Sequence, residues 1–229
     1  VMGVVGMGAR RWVDLGLFQL QPSEVMKIAM VLALARFYHS LPLEEVGRMR
    51  WLVVPAVLIL VPVALVMRQP DLGTAILLLA TATAMLLLAG VRLWKFAVAG
   101  GAVLLAIPVA WRFMLHGYQK DRVLTYLNPE RDPLGAGYHI MQSKIALGSG
   151  GLFGKGFMQG TQSHLAFLPE RQTDFIFTML AEEFGLVGCL GLLGLYVLVI
   201  AYGYAIAVRS RSQFGRLLAA GVISTFFLY

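Results

Sequence analysis

Long runs without a charged residue alternate along this chain with short polar interruptions. Trp51 to Met67, Leu72 to Val91, Phe96 to Trp111 and Phe184 to Val208 hold no Asp, Glu, Lys or Arg, and Leu217 to Tyr229 begins another such run. A helix rises about 1.5 Å per residue, so these runs cover the roughly 30 Å of bilayer hydrocarbon, the shorter ones with help from their flanks. Pro22 is well placed as the first residue of a further helix, which Val25 to Tyr38 continues. The pattern therefore predicts transmembrane helices at about 22–38, 51–67, 72–91, 96–115, 175–208 and 217–229. Pro55 and Pro62 are expected to bend the second of these. Val1 to Ala9 reads as the outer end of a preceding helix, followed by a polar turn from Arg10 to Asp14. About 116–174 is left as one large loop, and a loop that long in a compact protein is usually functional. The expected fold class is all-α, a polytopic helical bundle forming one integral-membrane domain.

Composition narrows this further. Of 229 residues, 59% are hydrophobic and 14% charged, with a mean hydropathy of +0.75, which excludes an ordinary soluble domain. The sequence opens on Val1 and stops inside an apolar run at Tyr229, so a longer protein, incomplete here at both ends, is expected. Cys189 is the single cysteine and lies in an apolar run, where it reads as a small core residue. A net charge of +7 suits anionic lipid headgroups or a phosphate-bearing substrate, and it also follows from ordinary loop bias. With no long basic run and no nucleic-acid module, nucleic acid is not an expected partner. Arg36, Arg48, Arg50, Arg92, Lys95, Arg209, Arg211 and Arg216 fall in segments on one side of the membrane, against Arg10, Arg11 and Arg68 in the short segments on the other. The positive-inside rule makes the first side cytoplasmic and places the large loop outside.

Candidate chemistry gathers on that outer side. Asp174 sits where the polar stretch TQSHLAFLPERQT gives way to an apolar helix. A carboxylate there is reachable from water yet partly desolvated, which strengthens it as a base; the bland alternative is a helix N-cap. Glu24 and Lys27 are three residues apart, share a helix face and can pair. Asp71 follows a tight Gln69–Pro70 turn and can serve simply to cap the helix after it. Arg10 and Arg11 beside Trp12 fit an interfacial anchor. Glu182 and Glu183 lie about two turns into the long helix, where acids must face protein or a wet cavity. Together, Arg10, Arg11, Glu24, Lys27, Arg68, Asp71 and Asp174 fall at one membrane face, which separate anchoring and capping roles do not explain.

Two further motifs are weaker. Gly148 to Gly156 reads GSGGLFGKG, but Ser149 stands where a nucleotide loop needs glycine, and Gly156 replaces its Ser or Thr. A tightly turning loop is the better reading, with Lys155 still able to touch a phosphate. His116, His139 and His164 lack metal-ligand spacing.

The blocks GARRWVDLG, LQPSEVMKIA, RQPDLGTA, NPERDPLGAGYHIMQSKIALGSGGLFGKG and FLPERQTDFIFTMLAEEFGLVG resemble the SEDS family of cell-wall polymerases, in its rod-shape branch rather than its division or sporulation branches. The resemblance covers essentially the whole chain in the family's order. It implies a fragment of a ten-helix bundle in the bacterial inner membrane, with the large loop between the seventh and eighth helices. It implies peptidoglycan glycosyltransferase activity, polymerising lipid II on the outer face of the cytoplasmic membrane in cell elongation and shape, with a class B penicillin-binding protein supplying transpeptidation. By the same resemblance the acid of TDFIF, held to be catalytic, is Asp174, the polar positions of QPSExxK and QPDLG are Glu24, Lys27 and Asp71, a first-block basic residue is Arg11, and the lysine of QSKIA is Lys144.

The chemistry suits that reaction. A sugar leaving as a lipid pyrophosphate needs no general acid, unlike the paired carboxylates of glycoside hydrolysis. It needs one base for the acceptor hydroxyl and cations for the departing pyrophosphate. Asp174 is the expected base, with Arg11, Lys27, Arg122, Lys144 and Arg171 as candidate phosphate or sugar contacts. A divalent cation such as Mg or Mn can share the phosphate work, though no ligand cluster in the sequence demands one. Two other readings remain: a lipid-precursor flippase, with Asp174, Glu182 and Glu183 along a polar path, and a non-catalytic membrane scaffold of the synthesis complex. The central parts of 52–67, 72–91 and 96–111 hold no ionisable residue, which favours surface chemistry over transport.

Overall fold

The structure, a computed structural model, describes residues 4–6, 9–14, 16, 19–42, 44–69, 71–114, 117–128, 136–160 and 175–229. Its helices are α1 Pro22–His39, α2 Met49–Met67, α3 Leu72–Ala89, α4 Leu93–Val109, α5 Gly117–Leu127, α6 Ala136–Ser149, α7 Ile176–Arg209 and α8 Gln213–Leu228. A π-helical turn, Ala110–Met114, continues α4. Pro22 is the first residue of α1, as its lack of an N–H allows. Among the described residues, four helices are long and apolar enough to cross a membrane: α2, α3, α4 with its continuation to Phe113, and α7. The chain is a helical membrane protein.

Two expectations need correction. Val1 to Ala9 is not the end of a helix over its described residues. Val4–Gly6, Ala9–Asp14 and Gln19–Leu20 form strands β1 to β3 of a small antiparallel sheet, in that order. Gly3, Gly6 and Gly8 each cost a helix about 1 kcal/mol, while Val4, Val5 and Val13 favour strands. The stretch 116–174, expected as loop, contains α5 and α6.

Contacts divide the chain into two units, residues 1–98 with 199–229, and residues 99–198. In the first, α1 and α3 pack on α8 and on each other, and α2 packs on α3 and α1. Met30, Val31, Leu34, Tyr38, Val63, Leu78, Met85 and Leu217 form its core. Gly221 lets α8 approach closely: a Cβ there would overlap Met85 Sδ and lie 2.7 Å from Val31 Cγ1. Small residues at such crossings are how membrane helices gain packing that lipid does not supply. Ile28, Val57, Leu60 and Ile76 point outward from the same helices, as lipid-facing positions do.

Both ends of this unit can be recognised. At one, His39 at the close of α1 packs edge-on against Phe214 of α8, with ring centroids 6.2 Å apart. Lys95 Nζ donates to Gly47 O at 2.5 Å, and Glu45 accepts from Arg48, Arg50 and Trp51 Nε1 at 2.7 to 2.9 Å. The cation-bearing segments after α1, α3 and α7 thus share an end. The start of α1, the close of α2 around Gln69 and the start of α3 lie at the other, where β2 also meets α1.

In the second unit, α5 packs on α6. The turn after α6 docks against α7 where Gly185 interrupts the helix with φ 64° and ψ −161°.

Candidate functional site

The site is built from the first turns of α1. A spacing of three residues puts Glu24 and Lys27 on one helix face, and Lys27 Nζ lies 2.8 Å from Glu24 Oε2. The lysine is 5% exposed, while the Glu24 side chain keeps 43% of its surface open. Tyr229 closes over the ammonium, its ring centroid 3.8 Å from Nζ. Tyr229 is itself exposed, and a cation on such a ring gains about 0.5–1 kcal/mol; with the Glu24 contact this holds the lysine in place rather than free to snorkel.

Beside it opens a cavity of about 280 Å³. Apart from Glu24 and Lys27, its walls are largely apolar, with Ile28, Val31, Val222 and Phe226 among them. One fixed amine at the mouth of an apolar slot matches an amphiphile with an anionic head, since a small number of placed polar groups orient a ligand that apolar walls bury.

Asp71 lies at the same end of this unit and accepts a hydrogen bond from Thr74 N at 3.2 Å, capping α3. Arg68 is exposed at the close of α2. Arg11 is in β2, which pairs with β3 ahead of α1 and also meets α1; its side chain lies outside what is described. The structure therefore brings Glu24 and Lys27 together and sets Asp71 and the Arg11 backbone at their end of the unit.

The remaining sequence candidates belong to the second unit. Lys144 is exposed on α6, and the Arg122 backbone is in α5, its side chain outside what is described. Arg171 and Asp174 lie outside the described residues, as does His164. Asp174 precedes the turn residue Phe175, from which α7 starts. Among the described residues, no three of His, Cys, Asp and Glu gather as a metal site.

Lys155 does not reach for a phosphate here. Its Nζ lies 2.8 Å from Glu182 Oε1, and Glu182 is 0% exposed. The amides that a nucleotide loop would offer are engaged as well: Lys155 N donates to Glu182 O and Gly156 N to Glu183 O, both at 3.0 Å. Sequence reasoning had Glu182 facing protein or a wet cavity, and did not identify its partner. Twenty-seven residues separate the two, and the signal was an acid in an apolar helix that had to find a cation. Tyr229 was missed as well, because nothing in the pattern distinguishes an aromatic packed on a lysine from one facing lipid.

The family model described as cell cycle protein, covering FtsW, RodA and SpoVE, matches residues 1–229. Peptidoglycan glycosyltransferase MrdB of Escherichia coli K12 is 50% identical over 99% of this chain and 61% of its own length. Stage V sporulation protein E of Bacillus subtilis is 38% identical over 97% of this chain and 59% of its own. A solved structure described as showing coordination of polymerization and crosslinking by a peptidoglycan synthase complex aligns with TM-score 0.80 and 33% identity, covering 99% of this chain and 62% of that one. The crystal structure of Thermus thermophilus rod shape determining protein RodA aligns with TM-score 0.64 and 28% identity, covering 99% and 57%. The chain thus spans about six-tenths of the length of the curated relatives it matches.

Proposed function

We propose that this chain, which belongs to the FtsW, RodA and SpoVE family, carries the catalytic part of a peptidoglycan glycosyltransferase that polymerises lipid II at the outer face of the bacterial cytoplasmic membrane. The observation that carries the reading is the buried Lys27 at the mouth of an apolar slot. Lipid II joins a long hydrocarbon tail to a pyrophosphate, and that slot offers a wall for the first and a cation for the second.

The reaction requires the acceptor sugar hydroxyl to attack the donor's anomeric carbon. As the new C–O bond forms, the bond from that carbon to the pyrophosphate oxygen breaks. Asp174 takes the hydroxyl proton, and lipid pyrophosphate departs with the bonding electron pair. Placed cations act on the charge that develops on the leaving group, where they lower the barrier most. Lys27 is assigned that work, with Arg11, Arg122, Lys144 and Arg171 as further phosphate or sugar contacts. Glu24 holds the Lys27 ammonium at rest, and Asp71 holds the start of α3. The 50% identical relative bears the name of this activity. A crosslinking transpeptidase of the class B penicillin-binding type is the proposed partner, in keeping with the described synthase complex.

The test uses the full-length protein with its partner in proteoliposomes, supplied with lipid II and no other polymerase. Glycan strands are expected from wild type and none from Asp174→Asn, which keeps the side-chain shape and loses the base. Lipid movement without polymer would instead establish a flippase, and neither polymer nor movement a scaffold.

A further inference from the structure

The glycine-rich segment Gly150–Gly156 took no part in the chemistry above, yet its contacts with α7 are unusual in kind. In an unbroken helix the amides of Leu186 and Val187 would donate to the carbonyls of Glu182 and Glu183. Gly185 breaks the helix there, and all four groups turn to the glycine segment instead. Leu186 N donates to Gly151 O at 2.9 Å and Val187 N to Leu152 O at 3.1 Å. In return Lys155 N donates to Glu182 O and Gly156 N to Glu183 O, each at 3.0 Å. A helix break inside an apolar span survives only where such groups are satisfied again, and here one segment satisfies them all. Fit is close: a Cβ on Gly150 would overlap Ala181 O, and one on Gly154 would overlap Glu183 O. Gly148, two residues earlier, has open space around it.

The Lys155–Glu182 ion pair, 2.8 Å long and buried on the acid's side, spans the same junction. The part of α7 from Ile176 to Phe184 is therefore not directed by the rest of its helix, because Gly185 lies between them. It is directed by the glycine segment.

We propose that Lys155 and Glu182 are positioning residues. Together with the Gly150–Gly156 clamp they fix the first turns of α7, and through them the attachment point of Asp174 two residues before Ile176. This inference rests on the glycosyltransferase reading for its effect on rate, but not for the clamp itself.

The experiment uses the full-length protein with its partner and two readouts, steady-state lipid II polymerisation and hydrogen–deuterium exchange of the peptide spanning 183–188. Lys155→Met and Glu182→Gln are each expected to lower kcat at least tenfold with KM changed less than twofold, and to speed exchange at Leu186 and Val187 at least tenfold. Lys155→Arg should keep at least half of the wild-type kcat, and Gly148→Ala all of it, whereas Gly150→Ala should behave like Lys155→Met. The double variant Lys155→Met/Glu182→Gln leaves no buried charge uncompensated, so it keeps the test decisive should a single change prevent folding; it is expected to show the same tenfold loss of kcat. Wild-type kcat in the double variant while Asp174→Asn is inactive would overturn the positioning role. An active Asp174→Asn would overturn the catalytic reading instead, and the clamp would then stand or fall on exchange alone. Unchanged exchange at Leu186 and Val187 in the double variant and in Gly150→Ala would overturn it.

Discussion

Lys27 is where charge, burial and an apolar wall meet, so its replacement separates a structural cation from a working one. Lys27→Met keeps the stem against Val31 and loses the ammonium over Tyr229 and beside Glu24. Glu24 is left largely open to its surroundings, so the expected loss of stability is about 1 kcal/mol, read as a small fall in Tm in detergent. A charge-assisted contact to phosphate is worth roughly 1.5–3 kcal/mol, so polymerisation should fall about ten- to a hundredfold. A fall in Tm with unchanged polymerisation would make Lys27 structural. Asp71 calls for a finer distinction, because its side chain already caps α3. Asn caps as well as Asp, and Ala does not. Asp71→Ala should therefore cost about 1 kcal/mol of stability, and Asp71→Asn almost none. If the carboxylate also serves substrate, Asp71→Asn lowers the polymerisation rate at unchanged Tm; equal rates would leave Asp71 a structural residue.

At the scale of elements, packing in this protein depends on which glycines are contacts. Gly221 on α8 touches Met85 of α3 and Val31 of α1, so Gly221→Val forces three helices apart, at a cost of about 1–3 kcal/mol. Gly100 and Gly101 on α4 have open space where a Cβ would stand, so Gly→Ala there is neutral or stabilises by up to about 1 kcal/mol. Thermal unfolding in detergent compares them, and an equal effect at Gly221 and Gly100 would refute the packing picture. The sequence makes these helices readable because uncharged runs as long as Leu72–Val91 have one physical solution in a bilayer. It does not say which glycine is a contact, because a glycine facing lipid and one facing Met85 look alike in a one-dimensional pattern. The N-terminal sheet escaped for a related reason: Val4 to Gly6 are apolar enough to pass for a helix end, and Gly6 decides against it only once pairing with β2 is available. The GSGGLFGKG run was legible as a turn from its glycines, whereas its partner, the break at Gly185, was hidden inside a hydrophobic run. The polar residues at the start of α1 were legible because charges set into a mostly apolar run stand out and are costly wherever such a run enters a bilayer.

For the whole molecule, function depends on which end of the bundle meets which side of the membrane. Arg48 and Arg50 are drawn together by Glu45, and Lys95 is tied to Gly47 beside them. His39 against Phe214 brings the segment with Arg211 to the same end of the unit. Three cation-bearing segments thus share one end, while Lys27, Asp71 and the Gln69 turn share the other. Short loops rich in Lys and Arg stay in the cytoplasm, so the proposed pyrophosphate site should face outward, where the glycan is made. Site-directed labelling checks this directly. With Cys189 replaced by serine, Gln69→Cys should react with a membrane-impermeant maleimide on intact spheroplasts, and Arg211→Cys only after the membrane is opened. Cys189 is buried and apolar in its surroundings, so its removal should leave the fold intact. The reverse pattern would put Lys27 in the cytoplasm, where the lipid-linked precursor has not yet crossed, and a polymerase with that orientation would have no growing strand to extend.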